Sequence, residues 1–188
     1  MHSGWGVLVA ISGDTDSPAL VERRRIMVMD PITPGGKQPY HHAAELSPEK
    51  AEQHIAKCGA FSERMAREAI KQVLAELSER NYRVASAAVL MAAGRSLPSL
   101  PQILASHPLI HTAEGEFFRK SVISACERLK IPVTQVRERE LEERAKSSYG
   151  KKAAQILRKI ADVGRSIGPP WTADHKAASL AALLTLER

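Results

Sequence analysis

Apolar and polar positions in the first thirty residues predict a β-hairpin. Residues 5–12 (WGVLVAIS) are short, apolar and rich in β-branched side chains, and residues 19–30 (ALVERRRIMVMD) alternate in part between polar and apolar. Between them, residues 13–18 (GDTDSP) are dense in turn-forming types. Residues 31–45 hold three prolines, two glycines and the pair His41-His42, so we expect a loop that leads away from the sheet.

A long helix and a buried strand follow. Ser47 can cap a helix, Pro48 suits its first position, and Glu49 favours the positive end of the helix dipole. Apolar residues then recur mostly at helical steps as far as about Arg80, and they are Ile55, Cys58, Met65, Ala69, Val73 and Leu77. Residues 82–92 contain VASAAVLMA, which is apolar on both faces and predicts a strand covered by helices on both sides.

The second half of the chain alternates helices with one more strand. The prolines of residues 96–111 allow at most a short helix around residues 102–106. Thr112 is predicted to cap the next helix, with Glu114 and Glu116 in its first turn, where carboxylates are common because of the helix dipole. Its buried stripe is Phe118, Val122, Ala125, Cys126 and Leu129.

Residues 131–136 predict a short strand, and three helices complete the pattern. Residues 137–145 alternate in sign, which indicates an exposed helix that the pair Tyr149-Gly150 ends. A second helix covers residues 151–163, and Thr172 caps the last one. The inward residues of these two helices are Ile156, Leu157, Ile160, Ala177, Leu180, Ala181 and Leu184.

Strands separated by helices imply parallel pairing, whereas the leading hairpin is antiparallel. The order therefore predicts an α/β fold: one domain over residues 1–188, with a single mixed sheet, an N-terminal β-hairpin and then alternating helices and strands.

Composition narrows the class of protein further. The 188 residues are 44% apolar and 26% charged with both signs present, which predicts a soluble globular protein. The longest nearly apolar stretch, residues 84–94, is about half of what a membrane-spanning helix needs. The N-terminus lacks a signal-peptide pattern and two cysteines cannot form a disulfide framework, so we expect a cytoplasmic location with reduced thiols.

The net charge of +6 is concentrated in one segment. Residues 144–176 hold eight cations and only two acids, Asp162 and Asp174, and the rest of the chain is balanced at 19 basic and 19 acidic residues. This distribution is the electrostatic footprint expected for a polyanion such as nucleic acid, although solvated helix faces give the same pattern. The cations are Arg144, Lys146, Lys151, Lys152, Arg158, Lys159, Arg165 and Lys176.

Three short segments resemble the ribonuclease H-like superfamily, and within it the RuvC-type Holliday-junction resolvases. Residues 3–7 (SGWGV) look like the glycine-containing start of the family's second strand. Residues 112–119 (TAEGEFFR) look like the helix after the central strand, and residues 171–178 (WTADHKAA) resemble the C-terminal helix. The resemblance implies a ribonuclease H-like domain that contacts nucleic acid. If residues 4–6 begin the second strand, it also implies a first strand outside this sequence.

The resemblance also implies a nuclease centre of two divalent cations held by about four carboxylates. This chain departs from that pattern, because no acid lies within residues 5–12 or at the end of the predicted central strand. The remaining candidates for catalysis are Asp14, Glu114, Glu116 and Asp174, of which Glu114 and Asp174 are the candidate metal ligands. Mg²⁺ or Mn²⁺ is expected as a cofactor only if the chain is an active nuclease.

Other chemistry is weakly represented. His54 and Cys58 stand four residues apart and offer two metal ligands where a closed zinc site needs four, so we expect a buried Cys58 and an exposed His54. No phosphate-binding glycine loop or dinucleotide fingerprint is present, so no nucleotide cofactor is expected. Trp171, beside the basic segment, either stacks on a nucleic-acid base or packs the last helix onto the sheet.

Three hypotheses remain from different classes. The first is a degenerate, non-catalytic ribonuclease H-like domain that binds nucleic acid, or a nucleic-acid-processing partner, through residues 144–176. The second is a structural or interaction protein that acts as a homodimer. The third is an active two-metal nuclease that uses the acids named above.

Overall fold

The computed structural model describes residues 1–13, 17–92 and 96–186, and in these ranges the chain is a mixed α/β protein. The N-terminal hairpin is confirmed: β1 (Trp5–Ser12) pairs antiparallel with β2 (Ala19–Met27), with one irregularity after Ala10. No helix in these ranges is long and apolar enough to cross a membrane.

Successive arginines of β2 point to different parts of the molecule, as strand alternation requires. Arg24 forms ion pairs with Glu22 and with Glu76 of the neighbouring long helix. Arg25 lies over the indole of Trp5, with its guanidinium carbon 3.8 Å from the ring centroid. Arg24 therefore ties the hairpin to the long helix, whereas Arg25 packs within the hairpin itself.

The long helix is also confirmed. It is α2 (Pro48–Glu79), preceded by Ser47 with Pro48 in its first turn. Its buried residues recur every three, four or seven positions, which keeps one face towards the core: Ala51, Cys58, Ser62, Ala66, Ile70, Val73 and Leu77. The preceding segment is not only loop, because residues Pro39–Ala43 form the short helix α1, which packs against α2.

The middle of the chain forms a parallel β-α-β unit. Strand β3 (Ala87–Met91) pairs in parallel with β4 (Val133–Arg137), and α3 (Leu100–Leu104) and α4 (His107–Arg128) connect them. Strand β3 has apolar clusters on both faces, because Val89 belongs to one cluster while Leu90 packs against the other, but only Val89 of its five residues is fully buried. It is shorter than the predicted strand over residues 82–92 because its pairing with β4 begins only at Ala87.

Helix α4 begins earlier than predicted, and Thr112 is not its cap. The residue before the helix is Ser106, and Pro108 lies in the first turn, where a missing N–H has no cost. Thr112 is inside the helix, where its hydroxyl donates to the carbonyl of Pro108. Pro108, which predicts a break when the sequence is taken alone, instead lies at the beginning of α4.

The C-terminal part is helical. A short 3₁₀ turn (Glu138–Glu140) leads into α5 (Leu141–Tyr149), a second (Gly150–Lys152) into α6 (Ala153–Ile167), and α7 (Ala173–Leu186) ends the fold. Thr172 stands directly before α7, as predicted, and the side-chain acceptor at this end is His175, whose Nδ1 accepts the N–H of Thr172 and lies 2.8 Å from its hydroxyl.

The strands form two separate sheets, not the single mixed sheet that the pattern predicts. Residues of β1 and β3 both line a cavity of about 340 Å³, and α7 packs against both strands. The alternation of polar and apolar residues along a strand predicts which face of the strand is buried. It does not predict which strands pair with each other, because pairing depends on how the surrounding elements pack.

The core has two main parts, on opposite sides of the strands. The first lies between the hairpin, α2 and α4 and contains Val28, Met29 and Phe118. The second lies between β4, α5, α6 and α7 and contains Val136, Ile156 and Leu183. Apolar burial in the second part holds α7 against β1 and β3 and α6 against α5 and α7.

Candidate nucleic-acid interface and acidic residues

The basic segment is carried mainly by α5 and α6. Helix α6 buries Ala153, Ile156 and Ile160, and its opposite face is exposed. On that side Arg158 and Arg165 lie seven residues apart, and Lys151 lies seven residues before Arg158, in the 3₁₀ turn that precedes the helix. Seven residues are close to two helical turns, so Arg158 and Arg165 follow one side of the helix with roughly 10 Å between them.

The cations of this segment differ in how they are paired. Arg144 is bound to Glu140 at 2.9 Å and Arg165 to Asp162 at 3.1 Å. Lys151 and Arg158 are exposed, and no carboxylate in the described part of the chain forms an ion pair with either of them. Their charges are therefore available to a partner outside the fold, because exposed cations without a local anion keep their full attraction for phosphate.

Trp171 is half-buried and packs on α6. Its indole N–H donates to the carbonyl of Ile160 at 2.8 Å, and its ring lies over Gly164. A Cβ at Gly164 would come within 2.4 Å of the indole Cδ1, so a glycine is required at this contact. These contacts favour the structural interpretation of Trp171 over base stacking.

The segment that joins α6 to α7 is held by one arginine of the hairpin. The guanidinium of Arg23 donates to the carbonyls of Gly168 and Pro170, at 2.9 and 2.6 Å, and lies 3.2 Å from that of Ile167. A guanidinium presents several N–H donors in a fixed plane, which suits a cluster of carbonyl groups. Arg23 thus fixes the position of the basic helix relative to β2.

Glu114 and Glu116 do not lie in the first turn of a helix, which is where the sequence predicts them. Because α4 begins at His107, Glu114 and Glu116 lie in its interior and not in its first turn, and both are buried, at 9% and 8% exposure. Helix-dipole stabilisation falls off within the first turn, so it does not account for either. Glu116 has one buried carboxylate oxygen without a hydrogen-bond partner among the described residues.

Glu114 and Asp174 are bound by different parts of the chain. Glu114 Oε1 accepts the backbone N–H groups of Tyr40 and His41, at 2.8 and 3.1 Å. Asp174 lies 2.8 Å from His2 Nε2 and lines the cavity between the sheets, together with Glu138. Asp14 lies outside the described residues. Among the described residues, no carboxylate cluster of the kind that a two-metal centre needs brings Glu114, Glu116 and Asp174 together.

The expected pair His54 and Cys58 does lie in contact. Cys58 Sγ is 3.5 Å from His54 Nε2, and Cys58 is buried while His54 is only partly exposed. Burial raises the pKa of the Cys58 thiol and lowers the pKa of His54, so both groups favour their neutral forms. The prediction of a buried Cys58 is confirmed, and the His54 side chain is less exposed than expected.

A group of histidines was missed by reasoning from the sequence. His41, His107 and His111 converge beside Glu114, and they are the only described residues that group in a way suited to a metal ion. The spacing of four between His107 and His111 is a sequence signal, once both are known to be helical. The contribution of His41, from a segment read as loop, is visible only in the folded chain.

Comparison of the chain with known protein families, with curated proteins and with solved structures gave no match.

Proposed function

We propose that this protein is a non-catalytic, ribonuclease H-like domain of the RuvC-related type that binds nucleic acid through the basic face of α5 and α6. The single observation that carries the proposal is a pair of exposed cations without carboxylate partners among the described residues: Lys151, in the 3₁₀ turn before α6, and Arg158, on the side of α6 opposite its buried residues. Phosphate contacts by Lys and Arg supply most of non-specific affinity for nucleic acid.

The local charge supports this choice of partner. Residues 144–176 carry eight cations against two acids, and the rest of the chain is balanced. Asp162 is the only acid on α6, and it is already paired with Arg165. A polyanion that approaches α6 therefore meets little repulsion, whereas α5 begins with the exposed acids Glu142 and Glu143.

The architecture supports the family assignment at the level of element order. An antiparallel hairpin followed by a parallel β-α-β unit and a last helix is compatible with the element order that the resemblance implies, although the strands form two sheets and not one. The separation of the acids supports a binding role without cleavage, because two metal ions about 4 Å apart require carboxylates that share one site.

The test is the salt dependence of binding to fluorescein-labelled DNA, both a duplex and a four-way junction, followed by fluorescence anisotropy. We expect log K to fall linearly with log [KCl], with a slope of about −0.9 for each phosphate contacted. The double variant Lys151→Glu with Arg158→Glu is expected to weaken binding about tenfold or more at low salt and to reduce the slope by about 2.

The chain offers a matched control in Lys50→Glu with Lys57→Glu. These lysines are also exposed, also seven residues apart on a helix, and their reversal changes the net charge by the same amount. The control is expected to bind nearly as the wild type does. Equal losses in both variants, or no binding by the wild type at low salt, would overturn the proposal.

Incubation with Mg²⁺ or Mn²⁺ is expected to leave both DNA substrates uncut. Cleavage that disappears in Glu114→Gln or Asp174→Asn would replace the proposal with an active nuclease. A stable dimer that binds no DNA would replace it with the interaction protein that acts as a homodimer.

A further inference from the structure

Three histidine rings meet where α1 packs against the start of α4. The ring centroid of His41 is 5.5 Å from that of His107 and 4.9 Å from that of His111, and the last two centroids are 4.4 Å apart. One nitrogen from each ring lies within 4.8 Å of the other two. Zinc–nitrogen bonds of about 2.0–2.1 Å in tetrahedral geometry place ligand nitrogens roughly 3.3 Å apart, which small side-chain rotations would reach from here.

The local sequence explains why two of the rings share a face. His107 and His111 are four residues apart in α4, about one turn, and Glu114 follows three residues later on the same face. Both histidines are exposed, so an ion there could retain water in a further coordination position. The third ring comes from α1, which contacts both α2 and α4.

Glu114 orients the third histidine. Its Oε1 accepts the backbone N–H groups of Tyr40 and His41 and lies 3.3 Å from the Nδ1 of the His41 ring. A carboxylate at Nδ1 fixes the tautomer that leaves the Nε2 lone pair free, which is the usual arrangement of a carboxylate, a histidine and a metal. The other oxygen of Glu114 is buried without a hydrogen-bond partner among the described residues.

We propose that His41, His107 and His111 bind one Zn²⁺ ion, with water in the open position, and that Glu114 is a positioning residue for His41. Three neutral imidazoles without a thiolate suit Zn²⁺ and its borderline substitutes such as Co²⁺, whereas Mg²⁺ and Ca²⁺ prefer oxygen ligands. The site is independent of the basic face of α6, because it uses none of the cations between residues 144 and 176.

The test is a Zn²⁺ titration of the tag-free full chain in competition with a chromophoric chelator, together with Co²⁺ substitution followed by visible absorption. We expect one equivalent of Zn²⁺ to bind and Co²⁺ to give the intense bands of a low-symmetry, four- or five-coordinate ion. The variants His107→Ala and His111→Ala change exposed residues, so their circular dichroism should be unchanged, and each is expected to weaken Zn²⁺ binding at least a hundredfold.

Glu114→Gln distinguishes positioning from ligation. Loss of an outer-shell partner typically weakens metal binding by about 10–100-fold, so the Co²⁺ bands should persist at higher metal concentration in this variant. His2→Ala and His54→Ala remove histidines outside the cluster and serve as controls, with unchanged affinity expected. Failure of the wild type to bind Zn²⁺, or equal affinity in the wild type and His111→Ala, would overturn the proposal without bearing on DNA binding.

Discussion

The contact between Gly164 and Trp171 makes an unusual prediction, because replacing this helical glycine by alanine should destabilise the protein. Alanine in place of glycine inside a helix ordinarily stabilises by about 1 kcal/mol. Here the new Cβ would lie 2.4 Å from the indole Cδ1 and 2.7 Å from Cγ. The indole cannot simply swing away, because its N–H is held by the carbonyl of Ile160.

The magnitude follows from the balance of these two effects. Overpacking of this kind costs about 1–3 kcal/mol, and subtracting the helix-propensity gain leaves a net loss of up to about 2 kcal/mol in the free energy of unfolding. For a chain of this length, that loss lowers Tm by up to about 8 °C. Urea denaturation followed by far-ultraviolet circular dichroism measures it directly through the midpoint.

Gly59 provides the matched control. It lies in the interior of α2, and a Cβ there would meet only ring atoms of Phe117 at 3.8 and 3.9 Å, which is ordinary van der Waals contact. Gly59→Ala is therefore expected to stabilise by about 0.5–1 kcal/mol. The destabilisation by Gly164→Ala should be smaller in a Trp171→Ala background, because the contacts with the indole Cδ1 and Cγ are then removed and only the Cβ contact at 2.9 Å remains. Stabilisation by Gly164→Ala with Trp171 in place would refute this account of the contact.

Three further predictions concern the core and its buried polar groups. Burial lowers the pKa of His175, and its Nδ1 accepts the N–H of Thr172. The neutral ring therefore stabilises the fold above about pH 6.5, and this contribution is lost as the pH falls below that value. His175→Gln should reduce the difference between the urea midpoints at pH 8 and pH 5.5. Burial raises the pKa of Cys126 to about 11 and also raises the pKa of Cys58. A thiol reagent at pH 8 should therefore label neither cysteine in the native protein and both cysteines in denaturant. Rapid labelling of the native protein would contradict the burial of these two side chains. Phe118 is 2% exposed, and its replacement by alanine is expected to lower the free energy of unfolding by about 3–5 kcal/mol. A loss of free energy of less than a third of this, measured by urea denaturation, would contradict its place in the core.

Several features were predictable because they depend on neighbours in the sequence. The hairpin follows from apolar strands around a turn, and α2 follows from Ser47-Pro48 and an apolar stripe. The concentration of charge in residues 144–176 is a property of composition alone. The start of α4 was mispredicted because Pro108 and Thr112 are competing local signals, and a proline that ends one helix is equally suited to begin another.

Tertiary packing determined which strands pair and which side chains from distant segments come together. The chain's own pattern determined which residues form strands, whereas the division into two sheets, with α7 packed against both β1 and β3, is visible only in the folded chain. In the same way His107 and His111 share a face through helical spacing, whereas His41 joins them only because α1 packs on α4 and Glu114 accepts its N–H. Spacing along one helix is a local property, and proximity between segments about seventy residues apart results from burying their shared apolar surface.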